Sequence, residues 1–308
     1  MTKSCSAARI MTTSNGLLLL DKPQGVTSHD AVDHVRRVLS ERRVGHAGTL
    51  DPMATGLLVI AVGASTRLLR FAQSETKRYE GVVTFGVRTD SLDADGEVLE
   101  RRDVPLFSAD DVTEASAAML GTQQQTPPMV SAIKVKGKRL HVLAREGIEV
   151  EREDRTIRID EFQLAPLGDD NWSFAVTCST GTYVRVLLSD LAERLGTIGH
   201  LSGLRRVASG HHVASNALTY FEFEDRVSLG VNVLAPPRAF VEHLASVTIS
   251  DEDERRLRQG QRVSLNAPSD GEIAALNEAG SLVAVVRRRG DNYQPVVVLP
   301  ADAASTRE

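Results

Sequence analysis

The segment Gly45-His46-Ala47-Gly48-Thr49-Leu50-Asp51-Pro52 holds an imidazole and a carboxylate five residues apart. Its small residues and Asp-Pro step make a poor helix, so it reads as a tight loop. A carboxylate on such a loop can act as a nucleophile or stabilise a developing positive charge, and can be expelled again. An Asp-Pro step also serves simply to form a turn. Glycoside hydrolysis would need a second acid, and the motif offers none beside Asp51. Other chemistry has little support. There is no phosphate-binding Gly-x-x-x-x-Gly-Lys-Ser/Thr loop and no dinucleotide fingerprint. The eight histidines show no metal-ligand spacing. Asp93-Ala94-Asp95-Gly96-Glu97 looks like part of a calcium loop, but Arg102 stands where the bidentate Glu belongs. No metal and no organic cofactor is expected.

The elements that must carry this loop follow from hydrophobic period and turn chemistry. Gly16–Leu20 reads as a buried strand that stops at Asp21-Lys22-Pro23-Gln24-Gly25. Ser28 is placed to cap a helix with Ala31, Val32, Val35, Val38 and Leu39 at helical spacing. Gly56–Val62 is a buried strand, Ser65–Ala72 a short helix, and Tyr79–Val87 an alternating strand. Asp110–Leu120 and Arg139–Arg145 read as helices, with Val130–Val135 extended between them. Thr156–Leu164 and Trp172–Cys178 read as strands. Gly181-Thr182-Tyr183 turns into a helix with Val184, Leu187, Leu188, Leu191 and Leu195 on one face, ended by Gly196. Ala235-Pro236-Pro237-Arg238 marks a boundary. Five short alternating segments follow: Ser246–Ile249, Gln261–Leu265, Glu272–Asn277, Leu282–Arg287 and Pro295–Leu299. They suggest a small β-barrel. The expected organisation is a disordered tail over 1–13, a catalytic unit over 14–235 and a small unit over 246–302.

Composition sets the compartment and the partners. At 308 residues, 42% hydrophobic and 25% charged, the chain has a globular profile and enough length for a sizeable core. The longest apolar runs, Gly16–Leu20 and Gly56–Gly63, fall far short of the ~20 residues of a membrane span. Met1–Asn15 has no long apolar region and does not read as a signal peptide. Two cysteines, Cys5 and Cys178, make no disulfide framework and point to a reducing cytoplasm. The net charge of −5 gives nucleic-acid binding no support by itself, but it is unevenly spread. Residues 1–90 hold twelve basic against eight acidic residues, and 134–158 hold eight against five. Residues 219–254 hold two against eight. The basic clusters are Arg36, Arg37, Arg42, Arg43; Lys77, Arg78; and Lys134, Lys136, Lys138, Arg139.

Val44 through Leu58, centred on Asp51, closely resembles the catalytic segment of the TruB-type tRNA pseudouridine synthases. Four further stretches resemble other blocks of that family, in order. They are Gly16 to Ser28; Lys77-Arg78-Tyr79 with Gly86 to Gly96; Gln125-Thr126-Pro127-Pro128 with Ser131 to Lys134 and Ala144 to Gly147; and Gly181-Thr182-Tyr183-Val184-Arg185 with Leu204-Arg205-Arg206. The likeness covers roughly residues 16–210. Val130 and His141 depart from it, standing where many relatives carry Tyr.

The resemblance implies an α/β (α+β) fold with a mixed, largely antiparallel sheet, followed by a small PUA-like RNA-binding barrel. It implies isomerisation of the T-loop uridine of tRNA, at position 55, with Asp51 as nucleophile and no cofactor. Breaking N1–C1′ and forming C5–C1′ needs no redox step, in keeping with the missing cofactor motifs. Arg185 would pair with Asp51, lowering its pKa against the cost of burial. Tyr79 would stack on the flipped uracil and help relay the C5 proton, with Tyr183 and Leu204 as pocket walls. His46 would fill the opened T-loop, and Asp93 would lie near the target base. Lys22, Arg36, Arg37, Arg42, Arg43, Lys77 and Arg78 would contact phosphates. The expected partner is the tRNA T-arm, with no membrane and no guide RNA, the enzyme acting as a monomer. The insert from Asp103 to Arg158 resembles the stand-alone type rather than guide-dependent relatives. The alternative is a tRNA-binding or tRNA-folding protein whose output is binding.

Overall fold

The structure is a computed structural model that describes residues 15–73, 76–131, 148, 150–267 and 271–301, with the backbone alone at 134–135 and 138–139. The expected tail lies outside the described residues, as does most of the expected helix at Arg139–Arg145. Arg139 itself belongs to a short strand.

The first half runs β1 (Gly16–Lys22), α1 (Ser28–Leu39), β2 (Val44–His46), β3 (Thr55–Val62), α2 (Leu69–Gln73), β4 (Lys77–Phe85), β5 (Val87–Thr89) and β6 (Val98–Arg101). It continues with α3 (Ala109–Ala117), β7 (Gly121–Gln125), β8 (Lys134–Val135) and β9 (Lys138–Arg139). Then come β10 (Arg155–Gly168), β11 (Asn171–Cys178), α4 (Val184–Arg194), β12 (Gly199–Ser209), β13 (His212–Val213) and α5 (Tyr220–Ser228). The C-terminal part comprises β14 (Ser246–Thr248), α6 (Asp251–Arg258), β15 (Glu272–Leu276), β16 (Leu282–Arg289) and β17 (Asn292–Val298).

The main sheet has the order β1-β3-β12-β4-β11-β10-β7, with β2 on β3 and β13 on β12. All its pairings are antiparallel except β12 with β3, which gives the mixed, largely antiparallel sheet expected. β3 is apolar at nearly every position because both its faces are covered. Leu58 and Ile60 join Leu18, Leu20, Ala31, Val32, Val35 and Phe223 in one layer, against α1 and α5. Leu57, Val59 and Ala61 face the other way, toward Leu68, Phe71, Ala274, Leu282, Val285 and Val297. The C-terminal sheet, of order β14-β15-β16-β17, thus shares its core with the far side of β3. A third core underlies the site, where Tyr79, Val83 and Phe85 meet Leu187, Leu188 and Leu191 of α4.

Several local expectations shift. Thr27, not Ser28, caps α1: its side chain accepts from the Asp30 N–H in a capping box. Ser28 is the first helical residue, and its hydroxyl is used elsewhere. Gly45 and His46, read as the start of the loop, belong instead to the short strand β2, since their backbone pairs with β3. Two helices, α5 and α6, and the long strand β12 were not read from the sequence. Four of the five C-terminal segments are strands, while Gln261–Leu265 contributes a single bridge from Val263 to Tyr293.

Candidate active site

The loop after β2 is held by its backbone from three directions. The Ser28 hydroxyl donates to the Leu50 carbonyl at 3.0 Å and accepts from the Leu50 N–H at 2.8 Å. The Lys22 ammonium donates to the carbonyls of Pro23, Val26 and Pro52 at 2.9, 2.6 and 3.3 Å. The Arg206 guanidinium, 1% exposed, donates to Gly48, Thr49 and Leu57. Gly48 and Gly56, at either end, have φ of +101° and +98°, a backbone that L side chains rarely adopt. A Cβ on Gly56 would also lie 2.4 Å from the Arg206 carbonyl, where β3 and β12 run side by side. The loop is therefore rigid without using the Asp51 side chain.

That side chain keeps about a third of its surface open, at 35%. Its Oδ2 sits 3.0 Å from Nε of Arg185, whose own side chain is 4% exposed. Arg185 is the second residue of α4, and its other nitrogens are all engaged. Nη1 donates to the Ser91 carbonyl at 2.8 Å and faces Asp93 Oδ2 at 3.3 Å. Nη2 donates to the Val130 carbonyl at 3.0 Å. The start of α4 is fixed in turn by Gln125 of β7. The Gln125 amide oxygen accepts from the Tyr183 N–H at 2.8 Å, and its amide nitrogen donates to the Tyr183 carbonyl at 3.1 Å. Asp93 is locked by Ser91, whose hydroxyl donates to Oδ1 at 2.6 Å. The result is a carboxylate–guanidinium–carboxylate chain whose Asp51 end opens to a cavity.

Around that end lies a cavity of about 290 Å³, lined among others by Asp51, Tyr79, Tyr183, Arg185, Leu204 and Arg206. This is the lower end of the range for small-molecule sites, enough for one nucleotide base and part of its sugar. Burial raises the pKa of Asp51 above the ordinary carboxylate value, although Arg185 pulls it down. Arg185 thus acts in the expected direction, opposing the effect of burial without reversing it. Burial likewise raises the Tyr79 hydroxyl, with Arg206 opposing. Cys178, beneath the site, has its thiol pushed up to about 11 by burial, so it offers no competing nucleophile.

The structure brings Asp51, Tyr79, Tyr183, Arg185 and Leu204 together, and it separates three other expected residues. Asp93 is not among the residues lining the cavity and faces Arg185 instead. His46 lies on β2 and is not among the lining residues; burial lowers the pKa of its imidazole. Lys22 is fully buried, at 0% exposure, and serves carbonyls rather than phosphates. Its burial lowers the ammonium to about 8. Lys77 is also buried and donates to the Ala72 carbonyl. The basic residues at the end of α1 fare differently. Arg37 and Arg42 line a shallow open depression with Arg36, which is shared with Asp33 and the Val44 carbonyl.

The Lys22 correction is testable. Lys22→Met leaves buried carbonyls unpaired, and we expect it to destabilise the fold by about 1–3 kcal/mol in urea titration. The salt dependence of tRNA binding is expected to stay unchanged, whereas a phosphate contact would lower its slope by about one.

Gln125 and Arg206 stand in the sequence as parts of motifs with no role of their own. Nothing in the Gly-Thr-Gln-Gln-Gln run of β7 marks Gln125, whereas Arg206 is a charged residue at a buried position of an extended strand.

Comparisons with known proteins place the chain among relatives. Residues 36–184 match the model of the TruB family pseudouridylate synthase N-terminal domain. Residues 244–300 match that of the tRNA pseudouridine synthase II C-terminal domain. The chain is 38% identical to tRNA pseudouridine synthase B of Streptococcus thermophilus over 291 residues, covering 92% of this chain and 99% of the relative. It is 48% identical to that of Opitutus terrae over 205 residues, covering 67% and 85%. Among solved structures, a chain of a Cbf5-Nop10-Gar1 complex superposes with a TM-score of 0.70 at 25% identity, over 90% of this chain and 79% of that one. Site geometry, both family models and relatives matched over nearly their full length give one conclusion: the chain belongs to the TruB family of pseudouridylate synthases.

Proposed function

We propose that the protein converts the T-loop uridine at tRNA position 55 to pseudouridine, with Asp51 as the nucleophile. The observation that carries this reading is the Asp51 carboxylate, presented to a base-sized cavity on a rigid loop and held at 3.0 Å by a buried arginine. The target base must leave its stack to reach it, at a cost of a few kcal/mol. Tyr79, Tyr183 and Leu204 then enclose the flipped uracil. Asp51 adds to the nucleoside, the N1–C1′ bond breaks, and the base turns. The C5–C1′ bond forms, the C5 proton leaves, and N1 regains a proton as Asp51 is expelled. His46, outside the cavity, fills the gap left in the T-loop. The open arginines at the end of α1 hold phosphates.

In this reading residues 14–235 are the catalytic unit and 246–302 an RNA-binding module. The enzyme works as a monomer in the cytoplasm, without guide RNA or cofactor. No helix among the described residues is long and apolar enough to cross a membrane.

Unmodified tRNA transcript incubated with the protein alone, then mapped by carbodiimide-stop primer extension, tests the proposal. A single new stop at position 55 is expected; stops elsewhere or none would overturn it. The pH dependence has a defined sign. Asp51 must be ionised to attack, and its pKa is raised by burial. The single-turnover rate is therefore expected to fall on acidification, with a midpoint above the ordinary value of 3.8.

A further inference from the structure

Gln125 is a buried amide, 5% exposed, that the reaction just described does not use. It is the last residue of β7 and meets α4 at its start. In a capping box the residue before the first turn caps the helix with its own side chain, and the third helical residue reaches back to that residue's N–H. α1, α3 and α5 each carry both halves, through Thr27 with Asp30, Ser108 with Asp111 and Thr219 with Glu222. α4, the helix that bears Arg185, carries neither. Tyr183 stands before its first turn and makes no side-chain cap, and its third residue is Val186. Gln125, 58 residues away in the chain, supplies the missing contact. Its amide oxygen accepts from the Tyr183 N–H at 2.8 Å. Its amide nitrogen donates at 3.1 Å to the Tyr183 carbonyl, which also accepts from the Leu187 N–H. The stretch after Gln125 then returns to the same turn: the Val130 carbonyl accepts from Arg185 Nη2 at 3.0 Å, and Ser131 lines the cavity. In between, the Thr126 hydroxyl donates to Asp154, and Arg152 donates to the Pro127 carbonyl at 3.1 Å. One short, pinned stretch thus brackets the start of α4, at the Tyr183 backbone and at the Arg185 guanidinium.

We propose that Gln125 is a positioning residue for the isomerisation: it holds the first turn of α4 in the place that sets Arg185 Nε against Asp51. Gln125 touches neither the substrate nor the reacting atoms and acts through Arg185. This role rests on the isomerase reading and deepens it. An amide suits the role because one side chain must accept and donate at once, which an ionised carboxylate cannot do. The expected effect is large for a residue outside the cavity, since misplacing a catalytic group by about 1 Å can cost about 10²-fold in rate.

A double-mutant cycle on single-turnover tritium release tests this, with tRNA labelled at uracil C5 and saturating. Gln125→Met keeps the length of the side chain and removes both hydrogen bonds. It is expected to slow release by at least about tenfold, with tRNA affinity within about threefold of native. Arg185→Lys has already lost the guanidinium geometry that Gln125 serves. Adding Gln125→Met to it is therefore expected to slow release by less than about threefold more. Slowing factors that simply multiply would overturn the proposal, as would a deficit that disappears at saturating tRNA. If Gln125→Met fails to fold, Gln125→Glu carries the test, since it keeps the acceptor for the Tyr183 N–H and loses only the donor. Its release is expected to be at least about threefold slower than native, and this deficit too is expected to vanish in the Arg185→Lys background. Release at the native rate by Gln125→Glu, or the same deficit in both backgrounds, would overturn the assignment. Absence of release by the native protein would instead contradict the isomerase reading itself.

Discussion

Asp51→Asn is expected to abolish turnover, by at least about 10⁴-fold in the single-turnover rate, while changing tRNA affinity by no more than about threefold. The substitution is nearly isosteric and removes only the negative charge and the nucleophilic oxygen. Every contact that shapes the loop runs through backbone or through other side chains: Ser28 to Leu50, Lys22 to Pro52, and Arg206 to Gly48 and Thr49. The loop should therefore hold its form. Two stability effects oppose each other. Burial disfavours the ionised carboxylate, so removing its charge relieves a penalty. Arg185 loses one of its two carboxylates but keeps Asp93 and two carbonyls. We expect the net change in folding stability to stay within about 1 kcal/mol. An inactive variant that binds and folds normally places the chemistry at Asp51. Retention of even about 1% of the rate would move the nucleophile elsewhere.

The second large effect is at Arg185. Arg185→Met leaves two carboxylates facing each other in a site that is closed on the Asp93 side. Removing one member of a buried ionic network costs about 3–5 kcal/mol, and Asp93 has its side chain almost fully covered. A fall of that size in urea titration is expected, together with loss of activity. Arg185→Lys separates positioning from charge. A single ammonium cannot reach Asp51, Asp93, Ser91 and Val130 together, whereas the guanidinium does so in one plane. Activity is expected to drop about 10²- to 10³-fold with a stability loss of only about 1–2 kcal/mol. Activity within fivefold of the native level would mean that the point charge alone suffices, and that the geometry of the fork is not needed.

The sequence made the site legible in a particular way. Asp51, Arg185, Tyr79, Tyr183 and Leu204 were found through motif resemblance and converge on one cavity. Lys22 was misassigned because a lysine beside Pro23 and Gly25 looks like a surface turn. Only the packing of β1 against the Asp51 loop shows that its ammonium has three carbonyls to satisfy. The part Asp93 plays was not legible either, since spacing along the chain cannot show that it pairs with Arg185. β12 escaped a pattern reading for a related reason. Its inward positions include glycine and a buried arginine rather than a run of β-branched residues, and the strand bulges between Leu201 and Gly203. α5 is short and acidic, with only Phe223 fully buried, so its apolar period is faint. The alternating and continuous apolar strands β1, β3, β4 and β11 were visible because burial on one or both faces leaves a direct trace in the sequence. What pairs with what, and which cation is buried, depends on contacts between residues far apart in the chain.

Tritium release from tRNA labelled at uracil C5, measured for the native protein and Asp51→Asn side by side with no guide RNA and no cofactor added, tests the chemistry at Asp51 most directly. The predicted result is release of one tritium per tRNA by the native protein and none by the variant, with both binding tRNA alike. Equal release by the two proteins, or tRNA binding without release by either, would contradict it.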